Sequence, residues 1–232
     1  MFTTQKIAAV YDQIGLYFSA TRPRLSKKVI SLLPNLTPKA RVLDLGCGNG
    51  VLLTALDRRS LGEGGSVDYT GLDISQTLVT EAKKLHPQNT FRLGDITDPT
   101  IWHGLGKYDF IAALAVFHHL PTPDDHTKLL RNIKQHLKPF DSAQGVPPAS
   151  VLVSVWRLDQ PKFDKYRTNE KHLSIPFHPA RSAYGTAVAG GGGPSRNFYT
   201  FTDEELTELA KQAGFSGIET ITDKNNFYYQ LA

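Results

Sequence analysis

Apolar positions recur with helical spacing over residues 5–18 and again over 24–33, and Pro34 and Pro38 then punctuate the approach to a different pattern. That spacing predicts two helices ahead of the main fold. Val42-Leu43-Asp44-Leu45 is a short apolar run holding one acid, read as a buried strand that enters a tight turn at Gly46-Cys47-Gly48-Asn49-Gly50. Helical spacing resumes at Val51 and continues to Arg58. Beyond it the pattern predicts a strand over Val67–Asp73 and a helix over Ser75–Leu85 with Ser75 as N-cap. A short strand at Asn89–Leu93, a turn at Gly94-Asp95, a strand at Tyr108–Leu114 and a helix over Asp124–Leu137 follow. The series ends with a strand at Ser150–Val155, a helix at Asp203–Ala213 and a hairpin. Such alternation implies an α/β fold whose mainly parallel sheet carries helices on both faces.

The 232 residues, 40% of them hydrophobic, suit a single domain with a sizeable core, spanning 1–232. Residues 1–38 form a helical cap ahead of it. Three segments read as inserted surface loops: 59–65, 140–149 and the glycine run 190–193. The stretch 157–199 contains Pro161, Pro176, Pro179 and Pro194 without clear periodicity. It is too long for a plain connection and is read as a lid over substrate.

A single cysteine, Cys47, excludes an internal disulfide, and one thiol among eight scattered histidines gives no structural zinc spacing, so no metal is expected. No apolar run approaches the roughly 18 residues of a membrane span, and the N-terminus lacks a signal-peptide core. A cytoplasmic protein is the expectation. Charge is unevenly placed: residues 1–41 hold seven basic side chains against one acid, Asp12, while the whole chain is only +4. A basic end of this kind can attract a phosphate backbone.

In an open parallel sheet the ligand sits at the carboxyl ends of the strands. Here those ends carry Asp44 and the glycine turn, Asp73, Asp95, and the run Ala115 to His119. An acid ending the second strand is placed to accept both hydroxyls of a ribose. The turn is G-x-G-x-G rather than the G-x-G-x-x-G of dinucleotide binders, and Asp44 suits a cationic ligand better than a pyrophosphate.

Leu43 to Gly50, Gly71-Leu72-Asp73-Ile74-Ser75, Gly94-Asp95 and Tyr108-Asp109-Phe110-Ile111, in that order and spacing, resemble the class I S-adenosylmethionine-dependent methyltransferases. The resemblance implies a Rossmann-like seven-stranded sheet. It also implies that Gly46, Cys47, Gly48, Asn49 and Gly50 carry the methionine portion, Asp73 the ribose and Asp95 the adenine, with Ile74, Ile96 and Ala115 lining the pocket.

Tyr11 to Ile14, Phe18 to Pro23, Ala115 to Leu120, Val155-Trp156 and Phe198 to Phe201 resemble, more narrowly, the methyltransferases that esterify carboxymethyluridine at the tRNA wobble position. That resemblance runs from Ile7 to Tyr228. It implies tRNA, through its anticodon loop, as substrate, and in eukaryotic members a small zinc-binding activator subunit. The chain departs from the family at an insertion after Leu137-Lys138-Pro139 and at Arg196-Asn197-Phe198-Tyr199.

Methyl transfer from a sulfonium is an in-line displacement, so the protein mainly aligns the partners and excludes water. A carboxylate acceptor, with a pKa of about 4, is already ionised and needs no base. It needs a donor, for which Arg22 is the candidate through its fork of N–H groups. Of the adjacent His118 and His119 only one is expected to face the site. His118 is taken as the catalytic member and His119 as a substrate contact. Tyr17, Trp156 and Tyr199 are candidates to stack a flipped base. A small carboxylic acid, amine or quinone-type acceptor, and a non-catalytic cofactor-binding subunit, are the other readings.

Overall fold

Backbone hydrogen bonds in the computed structural model join seven strands into one sheet, and two further strands pair separately. Residues 3–58, 66–139, 148–177 and 193–232 are described. Two helices come first, α1 (Thr4–Thr21) and α2 (Lys27–Leu32), whose N-termini are capped by the hydroxyls of Thr3 and Ser26. Then follow β1 (Arg41–Leu45), α3 (Val51–Arg58), β2 (Asp68–Asp73), α4 (Gln76–Leu85), β3 (Thr90–Leu93) and β4 (Phe110–Leu114). The second half holds α5 (Pro123–His136), β5 (Ser150–Trp156), β6 (His172–Pro176), β7 (Ser195–Tyr199), α6 (Asp203–Gln212), β8 (Ile218–Thr222) and β9 (Asn226–Leu231).

The main sheet runs β3-β2-β1-β4-β5-β9-β8. Its first five strands are mutually parallel, while β9 is antiparallel to both β5 and β8. The chain therefore builds outward from β1 in one direction, then returns to β4 and builds in the other. The crevice this opens beyond the carboxyl ends of β1 and β4 is where open α/β sheets bind ligands.

Side chains alternate across each strand, and the sequence fills both faces. Leu43, Leu45, Ile111 and Ala113 belong to a core packed with Leu129, Leu130 and Ile133 of α5 and Leu206 and Leu209 of α6. Val42, Phe110 and Ala112 face the opposite way, onto Leu52 and Leu56 of α3 and Val79 of α4. Near-continuous burial along β1, β4 and β5 is what a parallel sheet covered on both faces demands.

The expected elements are all present, with small differences at their ends. α5 starts one residue early, at Pro123, because the Thr122 hydroxyl accepts from Asp125 N and proline suits the first helical position. The strand expected from Tyr108 begins at Phe110, Tyr108 forming only an isolated bridge to Leu137. The segment 157–199, read as a lid, shows no clear periodicity in sequence. Its described part instead contains a 3-10 turn at Pro161–Tyr166 and an antiparallel pairing of β6 with β7, from His172 opposite Tyr199 to Pro176 opposite Ser195. Leu158, Leu173 and Phe198 give this hairpin its own small core. Residues 178–192 of it, with the inserted loops 59–65, 140–147 and 190–192, lie outside the described residues. No described helix is long and apolar enough to cross a membrane, and the described residues hold no group of three or more His, Cys, Asp or Glu able to bind a metal.

Candidate active site

A cavity of about 390 Å³ opens at the crevice between β1 and β4. Its cofactor-side wall is backbone and acid. Gly46 turns the chain at φ 68°, and a Cβ there would fall 2.2 Å from Val116 Cγ2, so only glycine fits. Gly46 N and Cys47 N donate to Leu72 O at 2.7 and 3.0 Å, folding the turn over the end of β2.

That fold brings Gly48 N to Asp73. Gly48 N donates to Asp73 Oδ2 at 2.8 Å and Ser75 N to Oδ1 at 2.9 Å. Each oxygen keeps a second lone pair, so the carboxylate is pre-aimed and still able to accept. Burial raises its pKa, against the lowering effect of those backbone donors.

Asp44 is buried and accepts from the Tyr69 hydroxyl at 2.6 Å. Burial pushes its carboxyl up to about 7, the Tyr69 bond opposing. Asp95 lines the cavity with Oδ1 accepting from Thr97 N and Oγ1 at 2.9 and 2.7 Å. Ala115 adopts φ 58°, unusual for a residue with a Cβ, and its N–H is directed at Ser154 O and Oγ at 2.9 and 3.0 Å. Ile74, Ile96, Cys47 and Asn49 also line the space. Burial pushes the Cys47 thiol well up, which keeps it protonated and unreactive. Gly50 alone of the five turn residues faces away, toward His86.

The opposite wall comes from distant parts of the chain: Tyr11, Arg22 and Arg24 near α1, His119 after β4, and Trp156 at the end of β5. Partial burial and the neighbouring Arg196 charge pull the Arg22 guanidinium below its usual range, and it lies 4.1 Å from the centre of the Phe18 ring.

Of the two histidines, the one expected to face the cavity as the catalytic member does not line it. His118 is fully buried off the cavity, its Nδ1 accepting from Trp156 N at 3.2 Å. His119 lines the cavity. The residues 117–119 form a single 3-10 turn, so adjacent rings diverge and the sequence offered no way to say which faced inward. His119 Nδ1 lies 3.2 Å from Asn197 O, a pure acceptor, so Nδ1 carries the proton. Nε2 then accepts from the Tyr11 hydroxyl at 3.0 Å. Burial lowers this imidazole to about 4, so at neutral pH it is uncharged with both nitrogens engaged.

Two aromatic candidates do not line the cavity. Tyr199 is buried in the core, with its hydroxyl donating to Glu205 Oε1 at 2.5 Å and its ring against His126 and Phe201. Tyr17 stands edge-on to Phe177, ring centres 5.5 Å apart. The sequence reading missed Asp12, which ties α1 to the site. Asp12 Oδ1 accepts from Ser75 Oγ at 2.7 Å and Thr77 N at 3.0 Å, while Asn49 Nδ2 donates to Ser19 Oγ at 2.8 Å. A lone acid in a basic segment was the available signal.

Fold and site together define a class I methyltransferase, an enzyme that takes its methyl group from S-adenosylmethionine. Residues 17–220 match the family model described as a methyltransferase domain, and the chain belongs to that family. A tRNA (carboxymethyluridine(34)-5-O)-methyltransferase of Schizosaccharomyces pombe is 25% identical, the match covering 98% of this chain and 96% of that protein. One of the same name from Arabidopsis thaliana is 27% identical over 86% of this chain, which spans only 44% of its length. The magnesium-protoporphyrin O-methyltransferase of Rhodobacter capsulatus is 31% identical over 67% of this chain and 65% of its own. Among solved structures, the DhpI complex with SAH shares the fold with a TM-score of 0.64 at 16% identity, covering 98% of this chain and 95% of that one.

The residues present suit such a cofactor. Asp73 could take a ribose diol on its remaining lone pairs, the glycine turn leaves space that a Cβ would fill, and Asp44 could face a cation.

Proposed function

We propose that the acceptor is a carboxylate, that of carboxymethyluridine at the wobble position of tRNA, and that the product is its methyl ester. The supporting observation is the charge and protonation of the acceptor-side wall. Arg22 and Arg24 line the cavity, and the one histidine among the described residues that does so is neutral with both nitrogens occupied. A wall of that kind can hold an anion. It is poorly suited to remove a proton from an amine or hydroxyl, and a carboxylate, ionised above about pH 4, requires no such removal. The fission yeast relative, which matches nearly end to end, carries the corresponding name.

The bound cofactor supplies an electrophilic methyl group on a sulfonium. This chain's part is alignment and exclusion of water. Asp73 and the glycine turn fix one partner, Arg22 grips the carboxylate of the other, and Trp156 offers a ring against which a flipped base can stack. The β6–β7 hairpin serves as the lid, and the basic residues of 1–41 hold the anticodon stem by its phosphates.

Incubation with labelled S-adenosylmethionine and tRNA bearing carboxymethyluridine should yield base-labile methyl, and turnover should weaken steeply as salt rises. Label on small metabolites only, insensitive to salt, would transfer the assignment to a small-molecule acceptor, the reading that the protoporphyrin-methylating relative favours.

A further inference from the structure

Arg196, on β7, has no place in the fold's own charge pairing. Its Nε and Nη1 are buried and meet no hydrogen-bond acceptor among the described residues. Three rings surround the guanidinium, with Trp156, Phe177 and Phe198 centred 5.5, 5.2 and 5.4 Å from it. Its charge acts on the Tyr11 hydroxyl, opposing the rise that burial causes there. No salt bridge among the described residues includes it, and the undescribed connection 178–192 contains no Asp or Glu. A partly buried guanidinium without a counter-charge among the described residues is unfavourable, unless an anion arrives to pair with it.

Its neighbours show where that anion would come from. Tyr11 and Trp156 both line the cavity, as do Arg22 and His119, whose protonation the Arg196 charge disfavours. Close by, His118 carries its proton on Nε2, since Nδ1 accepts from Trp156 N, and that Nε2 is a second buried donor without a partner among the described residues. His118 shares the Trp156 and Phe198 rings with Arg196. Unpartnered N–H groups of two residues thus gather around the Trp156 and Phe198 rings, beside the cavity rather than on its wall, and what they lack among the described residues is an oxygen acceptor.

We propose that Arg196 is a second acceptor-binding residue, delivered by the β6–β7 hairpin, which with Arg22 holds the carboxylate to be methylated. Resting on the carboxylate reading above, this makes the hairpin a determinant of acceptor choice. An anion held between two guanidinium groups is fixed in direction as well as place, with one oxygen left toward the methyl group.

The test compares wild type, Arg196→Met and Arg196→Lys on tRNA bearing carboxymethyluridine and on a panel of small carboxylic acids. Calorimetry with S-adenosylhomocysteine monitors the cofactor side. R196M should raise KM for the esterified carboxylate roughly 10- to 100-fold, the range for a lost charged hydrogen bond, with cofactor affinity unchanged. R196K, which keeps the charge and loses the fork, should recover part of it. Ester formation by R196M with an unaltered KM would overturn the role of Arg196 and leave the carboxylate assignment standing. Wild-type enzyme that methylates none of these carboxylates would overturn both.

Discussion

The two walls of the cavity are built on opposite plans. The cofactor side is local: Asp44, Gly46, Gly48, Asp73 and Asp95 sit at strand ends within one β-α-β-α-β run, and backbone N–H groups fix the Asp73 carboxylate. The acceptor side is assembled from Tyr11, Arg22, His119 and Trp156, which are far apart in sequence, with Arg196 packed against the Trp156 ring. Its character is basic and aromatic, with buried donors left open. One wall is acidic and hydrogen-bonded before any ligand comes; the other is cationic and incomplete. The proposed pairing of a cationic cofactor with an anionic acceptor rests on that difference.

The sharpest way to break the contrast is at Asp44. Its folded-state pKa of about 7 lies above the ordinary value near 3.8, so the protonated form favours folding. That stability is fully present below about pH 4 and is lost as pH rises through 7, a change of about 4 kcal/mol at most for a shift of this size. Denaturant unfolding of the ligand-free protein across pH 4–8 should show the decline, and Asp44→Asn should flatten most of it. An unchanged slope in D44N would mean that the acidic wall carries no such strain.

Next in size is Asp73→Ala. It removes an anionic acceptor and strands two backbone N–H groups, so affinity for S-adenosylhomocysteine should fall about 100-fold, or about 3 kcal/mol, by calorimetry. A loss below fivefold would show that the pre-aimed carboxylate is not what holds the ligand.

The smallest effect is expected from Tyr199→Phe. Its hydroxyl bond to Glu205 belongs to the core, so stability should drop by about 1 kcal/mol in thermal unfolding while acceptor KM stays unchanged. A raised KM with normal stability would return Tyr199 to the acceptor wall.

The same division decided what could be read from the chain alone. Strand, glycine turn and strand-end acid are short-range patterns, each with a local physical cause, and the sheet and the residues from Asp44 to Asp95 were legible from them. The acceptor wall depends on which way a ring points after a bend. His118 and His119 share a single 3-10 turn, and no periodicity distinguishes the inward one. Tyr199 resembles a stacking residue in sequence, yet alternation along β7 sends it into the core beneath Glu205. Arg196 gave no signal because an unpaired charge is visible only once its surroundings are known.

Helix α1 belongs to both walls. Asp12 fastens it to the start of α4 beside Asp73, while Tyr11 and Arg22 reach the acceptor side. A single rigid rod bearing on two ligands makes their binding equilibria interdependent. Any factor by which the acceptor tightens the cofactor must be returned equally by the cofactor to the acceptor, and α1 is in contact with both sides of the cavity.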